Sequence, residues 1–98
     1  MHIQMVNFQL NEMTRADYDA LLEEVASQFP QIPGLKSKYY LAEDESNLYG
    51  GVYVWESKQA MLDYQAGEIY QSILDHPGLA EVTSVDFDVI EDHSFGAN

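Results

Sequence analysis

Cysteine is absent from the 98 residues, so neither a disulfide staple nor thiolate chemistry is available. Cations are scarce: Arg15, Lys36, Lys38 and Lys58 stand against 17 acidic residues, a formal net charge of −13. Such a surface repels phosphate backbones and anionic lipid, which argues against nucleic acid and membranes as partners and leaves solubility as the plain use of the charge. No run approaches the ~18 consecutive apolar residues of a membrane-spanning helix. Residues 1–13 also lack the basic start and apolar stretch of a secretory signal, so a cytoplasmic protein is the expectation. Chemical motifs are missing too: there is no Gly-rich phosphate loop, GxSxG elbow or HExxH helix. His2, His76 and His93 lie near element ends without metal-ligand spacing, which reads as three surface residues and no metal site.

What the chain has in quantity is aromatic surface, with seven tyrosines and 12% aromatic residues overall. A chain this short buries only roughly 60–65% of its unfolded surface, and so thin a core does not need that many polar-tipped rings. They suit a lined pocket, a subunit interface, or both. Residues 1–92 read as one domain and 93–98 as a loose tail.

Residues 2–10 alternate as a strand, with Ile3, Met5, Asn7 and Gln9 on one face and Val6, Phe8 and Leu10 on the other. Thr14 caps a helix, with Asp17 completing a shortened capping box, and Tyr18, Leu21, Leu22, Val25 and Phe29 follow at helical spacing. Residues 35–42 form a second strand, joined through the acidic turn "EDESN" to a third containing "NLYGGVYVWES". Ser57 caps a second helical stretch, interrupted near Gly67, and residues 81–91 alternate as a fourth strand. The segment "PGL" precedes both the second and the fourth strand. The order βαββαβ is the ferredoxin-like α+β plan, one four-stranded antiparallel sheet with two helices on one face. The uncovered face still carries large apolar side chains, so a homodimer is expected.

Two adjacent glycines, Gly50 and Gly51, sit at the start of an otherwise strong strand, where glycine weakens pairing and leaves volume empty. The expected hairpin register sets Tyr40 opposite Gly51, Lys38 opposite Tyr53 and Lys36 opposite Trp55 on one face, with Tyr39, Leu41, Gly50, Val52 and Val54 on the other. The glycines then make either a pocket floor or a point of close approach by a bulge, helix or partner subunit. The lysines read as cation–π cover for rings. Asp86 and Asp88, at strand spacing, read as a solvated or barrel-lining pair.

The run "PGLKSKYYLAEDESNLYGGVYVWESKQAMLDY", followed by "PGLAEVTSVDFDVIED", resembles the small YdhR-like monooxygenases of the dimeric α+β barrel superfamily, which includes the antibiotic-biosynthesis monooxygenases. The similarity spans roughly residues 3–92. It implies cofactor-independent oxygenation: a dry cavity between helices and sheet binds a small phenol or hydroquinone, favours its anion, and lets that anion reduce O₂ with no metal or flavin. A non-catalytic dimeric domain, binding a small apolar molecule or serving in a stress response, is the alternative.

The haem-degrading branch of that superfamily resembles this chain at Asn7 on the first strand, and its Trp and haem-ligating His align with Tyr64 and Leu74. His76 lies about 200° around the helix from Leu74, so the resemblance implies no haem. It implies Asn7 and Tyr64 as catalytic residues, with Tyr39, Gly50, Gly51, Tyr53 and Trp55 binding substrate. With Asn7 toward the cavity, Ile3, Met5 and Gln9 would face it as well, and Val6 and Phe8 would line the dimer barrel. Hydrophobicity alone points the opposite way.

Overall fold

Strand β1 (His2–Leu10) has a strict two-residue rhythm in the computed structural model, which describes residues 1–96: His2, Gln4, Val6, Phe8 and Leu10 are buried, while the residues between them are half-buried or exposed. The end of the expected tail, residues 97 and 98, lies outside the described residues. Helix α1 (Arg15–Val25) follows, and its capping box is formed: Thr14 Oγ1 accepts the Asp17 N–H at 3.1 Å and the Asp17 carboxylate accepts the Thr14 N–H at 3.0 Å. The chain then tightens into a 3-10 turn over Ala26–Gln31 that carries Pro30 and buries Phe29. Strands β2 (Leu35–Glu43) and β3 (Leu48–Trp55) form the hairpin, and both "PGL" segments deliver the chain into a strand, β2 at Leu35 and β4 (Leu79–Asp88) at Leu79.

The helical stretch between β3 and β4 is two helices, α2 (Lys58–Gln65) and α3 (Glu68–Asp75), divided at Ala66 and Gly67. Neighbouring strands are antiparallel in the order β2-β3-β1-β4, which makes the chain a ferredoxin-like α+β domain. Tyr40 pairs with Gly51 and Lys38 with Tyr53. Trp55, however, faces Leu35 rather than Lys36, because the register slips between Leu35 and Ser37 and leaves Lys36 in a bulge.

The core lies between the sheet and the helices and is largely aromatic. Tyr53 and Trp55 are buried in parallel on β3, their ring centroids 6.0 Å apart. Tyr64 of α2 packs against both, with Phe29 and Tyr70 around it. Polar atoms within this layer are paired: the Trp55 indole N–H donates to Gln4 Oε1 and Gln4 Nε2 donates to Ser84 Oγ, each at 3.0 Å. His2 is buried, not on the surface, and lies between Asp88 at its Nδ1 and Asp86 at its Nε2, both 2.6 Å away. Asp86 and Asp88 thus hold a histidine on the helix side of the sheet and do not line the open face, while both stay exposed to solvent. The opposite sheet face has no cover among the described residues, and Tyr39, Val85 and Phe87 on it are 61, 49 and 62% exposed.

Candidate functional site

Two helices lean over this sheet without filling the space beneath them. Tyr18 is the only fully buried residue of α1, while Leu21, Leu22 and Val25 are half-buried; α3 has no fully buried residue, and its Ile69 and Ile73 are half-buried too. These side chains share a cavity of about 130 Å³ with Phe8, Phe29 and Tyr53. The exposed Gln28 and Ser72 sit among its lining residues and mark its rim. The volume is close to the ~150 Å³ of an apolar cavity that stays dry and accepts a benzene ring.

Gly50 and Gly51 both line the cavity, for different reasons. Gly51 lies on the helix side of β3, where a Cβ would come within 3.1 Å of Lys38 Cε, 3.3 Å of the Tyr39 carbonyl and 3.5 Å of the Tyr53 ring, so its missing side chain lets the Lys38 stem lie close against the strand. Gly50, at φ +153°, carries its backbone against Val6 of β1, and a Cβ there would overlap the Val6 carbonyl.

Besides Tyr53 and the rim residues Gln28 and Ser72, four further polar side chains line this otherwise apolar space. Lys38 places its Nζ over three rings, 3.1 Å from the Phe29 centroid, 4.4 Å from Tyr40 and 4.6 Å from Tyr53. Burial pulls its amine down to about 7. Among the described residues it forms no ion pair. Tyr18 and Tyr40 are the second and third, and burial pushes both phenols upward, Tyr18 to about 12, so they act as donors. The fourth is His76, whose Nδ1 accepts the Gly78 N–H at 2.9 Å. That bond puts the proton of the neutral ring on Nε2.

Of the residues singled out from sequence, the structure brings Gly50, Gly51 and Tyr53 to this cavity. Tyr64 and Trp55 stand behind Tyr53 in the core; the Tyr64 and Tyr53 hydroxyls are 3.2 Å apart, and burial pushes the Tyr64 phenol up to about 12. Asn7 and Tyr39 are on the opposite sheet face. Asn7 pairs with Gly50 across the strands, and its side-chain amide donates to the Tyr49 carbonyl at 3.3 Å, while its neighbours Val6 and Phe8 face the helices. Burying two apolar side chains under the helices decides which way β1 faces, and Asn7 follows from the alternation.

Sequence reasoning missed Lys38, Tyr18 and His76 as lining residues. Lys38 shares a face with Gly51 and Tyr53 in the pairing register, which was the available signal. His76 was set aside by a helical rotation, but α3 ends at Asp75 and His76 has extended angles (φ −70°, ψ 122°), so the rotation does not apply to it. A second, larger cavity of about 500 Å³ lies between the loop at Ile32–Gly34 and α2, and Tyr64 borders it. Glu56, Ser57, Gln59 and Asp63 line that cavity beside the apolar Ile32, Pro33 and Ala60.

A partly enclosed, aromatic-walled cavity in a ferredoxin-like α+β domain is the candidate small-molecule site of this chain. The family described as "Putative mono-oxygenase ydhR" matches residues 3–98, and the chain belongs to it. No curated protein matches the chain. Among solved structures, a putative antibiotic biosynthesis monooxygenase from Deinococcus radiodurans is 17% identical with a TM-score of 0.75, over 100% of this chain and 97% of that one. The heme-degrader MhuD from Mycobacterium tuberculosis, with two hemes bound in its active site, is 16% identical with a TM-score of 0.73, over 92% and 96%. SnoaB, a cofactor-independent oxygenase from Streptomyces nogalater, is 20% identical with a TM-score of 0.69, over 90% and 92%. At these identities the likenesses speak to the fold.

Proposed function

We propose that the chain is a cofactor-independent monooxygenase acting on a small phenol- or hydroquinone-like aromatic held in the cavity between α1, α3 and the sheet. The observation that carries this reading is the lining itself: about 130 Å³ bounded by aromatic and aliphatic side chains, with a few donors and one amine. A space of that kind takes one aromatic ring and excludes water. In such surroundings a deprotonated phenol is electron-rich and poorly solvated, which favours electron transfer to O₂. One oxygen atom then enters the ring and the other leaves as water with the two hydrogens the substrate gives up. Tyr18 and Tyr40, which stay protonated, are placed to donate to substrate oxygens.

Haem, carried by one structural relative, does not fit these residues. Because His76 Nδ1 accepts a backbone N–H, Nε2 holds the proton of the neutral ring and offers no lone pair to iron. A porphyrin also exceeds the volume that accommodates a single ring. We propose, further, that the open sheet face is covered by a second copy of the chain, with Tyr39, Val85 and Phe87 in the shared interface.

The test is O₂ consumption by the purified protein with a panel of mono- and bicyclic hydroquinones and phenols, against the protein-free rate. Uptake with product carrying ¹⁸O from ¹⁸O₂ supports the reading. Tight binding seen by thermal shift, with uptake no faster than background for every member, would instead establish a binding module.

A further inference from the structure

We infer that Lys38 is the proton acceptor that holds an acidic aromatic hydroxyl in this cavity as an ammonium–phenolate pair; the inference rests on the oxygenase reading for its consequence, though not for its geometry. Among the described residues Lys38 is the only lysine or arginine lining the cavity. Arg15 is taken by Asp19 and Asp44, and Lys36 and Lys58 are exposed. The groups facing Lys38 are Phe29 from the 3-10 turn, Tyr40 on its own strand and Tyr53 on β3, while Tyr18 from α1 and His76 after α3 line the same space. Tyr40 and Tyr53 are held in their neutral forms by burial, and no carboxylate of the described residues is within ion-pair distance.

Among the described residues an amine in this position has no counter-ion. Ring faces return part of the hydration the ammonium has lost, but they supply no net charge. Burial brings the amine to about 7, so near neutral pH much of it is free base with a lone pair to offer. A phenol entering the cavity gives its proton to Nζ, and the O–H electron pair stays on oxygen. The product is an ion pair in which each charge is the other's only close partner, favourable in a low-dielectric site. The phenolate is the species that reduces O₂, and the proton held on Lys38 leaves with the water that oxygenation forms. Selection follows from the same chemistry: neutral hydrocarbons gain nothing from Lys38, and acidic phenols gain most.

The experiment titrates the protein with 4-nitrophenol, whose phenolate is yellow, at a pH about one unit below the dye's own ionisation. Binding to the unaltered protein is expected to raise the phenolate-to-phenol ratio roughly tenfold over free dye, from about 1:10 to about 1:1, the effect of about one unit of preferential ion pairing. Lys38→Met, which keeps the aliphatic stem, should abolish the gain. Lys38→Arg, always charged, should bind added phenolate and yet lose the rise in free-base character near pH 7. Lys58→Met serves as the surface control and should leave the gain unchanged. Dye that fails to bind at millimolar concentration, dye that binds as neutral phenol, or an undiminished phenolate band in Lys38→Met each overturns the inference. Ionised dye without O₂ uptake on any hydroquinone would sink the oxygenase reading alone, and O₂ uptake undiminished in both Lys38 variants would sink the role of Lys38 alone.

Discussion

A Cβ on Gly50 would overlap the Val6 carbonyl of the adjoining strand, where only backbone movement could relieve it. We expect Gly50→Ala to cost about 3 kcal/mol or more, from the φ of +153° and the overlap together, read as a lower urea midpoint with unchanged m-value. Gly51→Ala meets first the Cε of a flexible lysine and then the Tyr39 carbonyl, so its expected cost is about 1 kcal/mol, while the added methyl pushes the Lys38 stem off the strand and weakens phenol binding by roughly tenfold. Lys38 has its own signature in pH. Folding lowers its amine from 10.5 to about 7, so between those values the unfolded chain binds more protons and stability rises with pH. Below about 7 both states are charged and the burial penalty stands in full. Above roughly 10, Tyr18 and Tyr64, pushed up to about 12, resist an ionisation the unfolded chain undergoes, and stability falls again. Chemical denaturation from about pH 7 to 9.5 should show a rise on the order of 1–3 kcal/mol, absent in Lys38→Met.

Strand β1 is pinned to β4 at its first residue by side chains as well as by the ladder. His2 stands opposite Asp88 in register and bonds both Asp88 and Asp86, so each ring nitrogen has a carboxylate oxygen. Removing the ring leaves the two acids on one face with no donor between them. His2→Ala should lower stability by about 1–3 kcal/mol and speed hydrogen exchange at the paired end of β1 and β4. At the other side of the fold, the division between α2 and α3 sets the site: α3 starts afresh at Glu68, aims Ile69 and Ile73 into the cavity, and ends in time for His76 to join the wall.

For the whole molecule, the uncovered sheet face leaves apolar side chains in water. Met5, Tyr39, Val85 and Phe87 share it, and Tyr39 and Phe87 are each more than 60% exposed. Sedimentation equilibrium at micromolar concentration should give twice the monomer mass of 11.1 kDa, and Val85→Asp with Phe87→Asp should give the monomer mass. A monomer from the unaltered chain would show that a second copy does not cover the face. With a net charge of −13, the association should strengthen as salt screens the repulsion between like-charged copies.

The elements were readable because local rules agree with one another. Thr14 and Ser57 cap where caps were expected, the two "PGL" segments precede β2 and β4, and the short acidic turn sets the register that pairs Lys38 with Tyr53. The face shared by Lys38, Tyr40, Gly51 and Tyr53 follows from that alternation, so part of the cavity wall was on the page in the sequence. The bulge at Lys36 was not, since one extra residue in a strand leaves no compositional trace. Which face β1 turns to the helices follows from the burial of Val6 and Phe8, and it carries Asn7 away from the cavity whatever a distant relative does with its own first strand. Local periodicity and capping thus determined the chain's elements and their order. Only the tertiary packing decided how far α1 and α3 stop short of the sheet, that His2 lies between two carboxylates, and that Lys38 and His76 meet one space. Those outcomes depend on distances between segments remote in sequence, which no local pattern encodes.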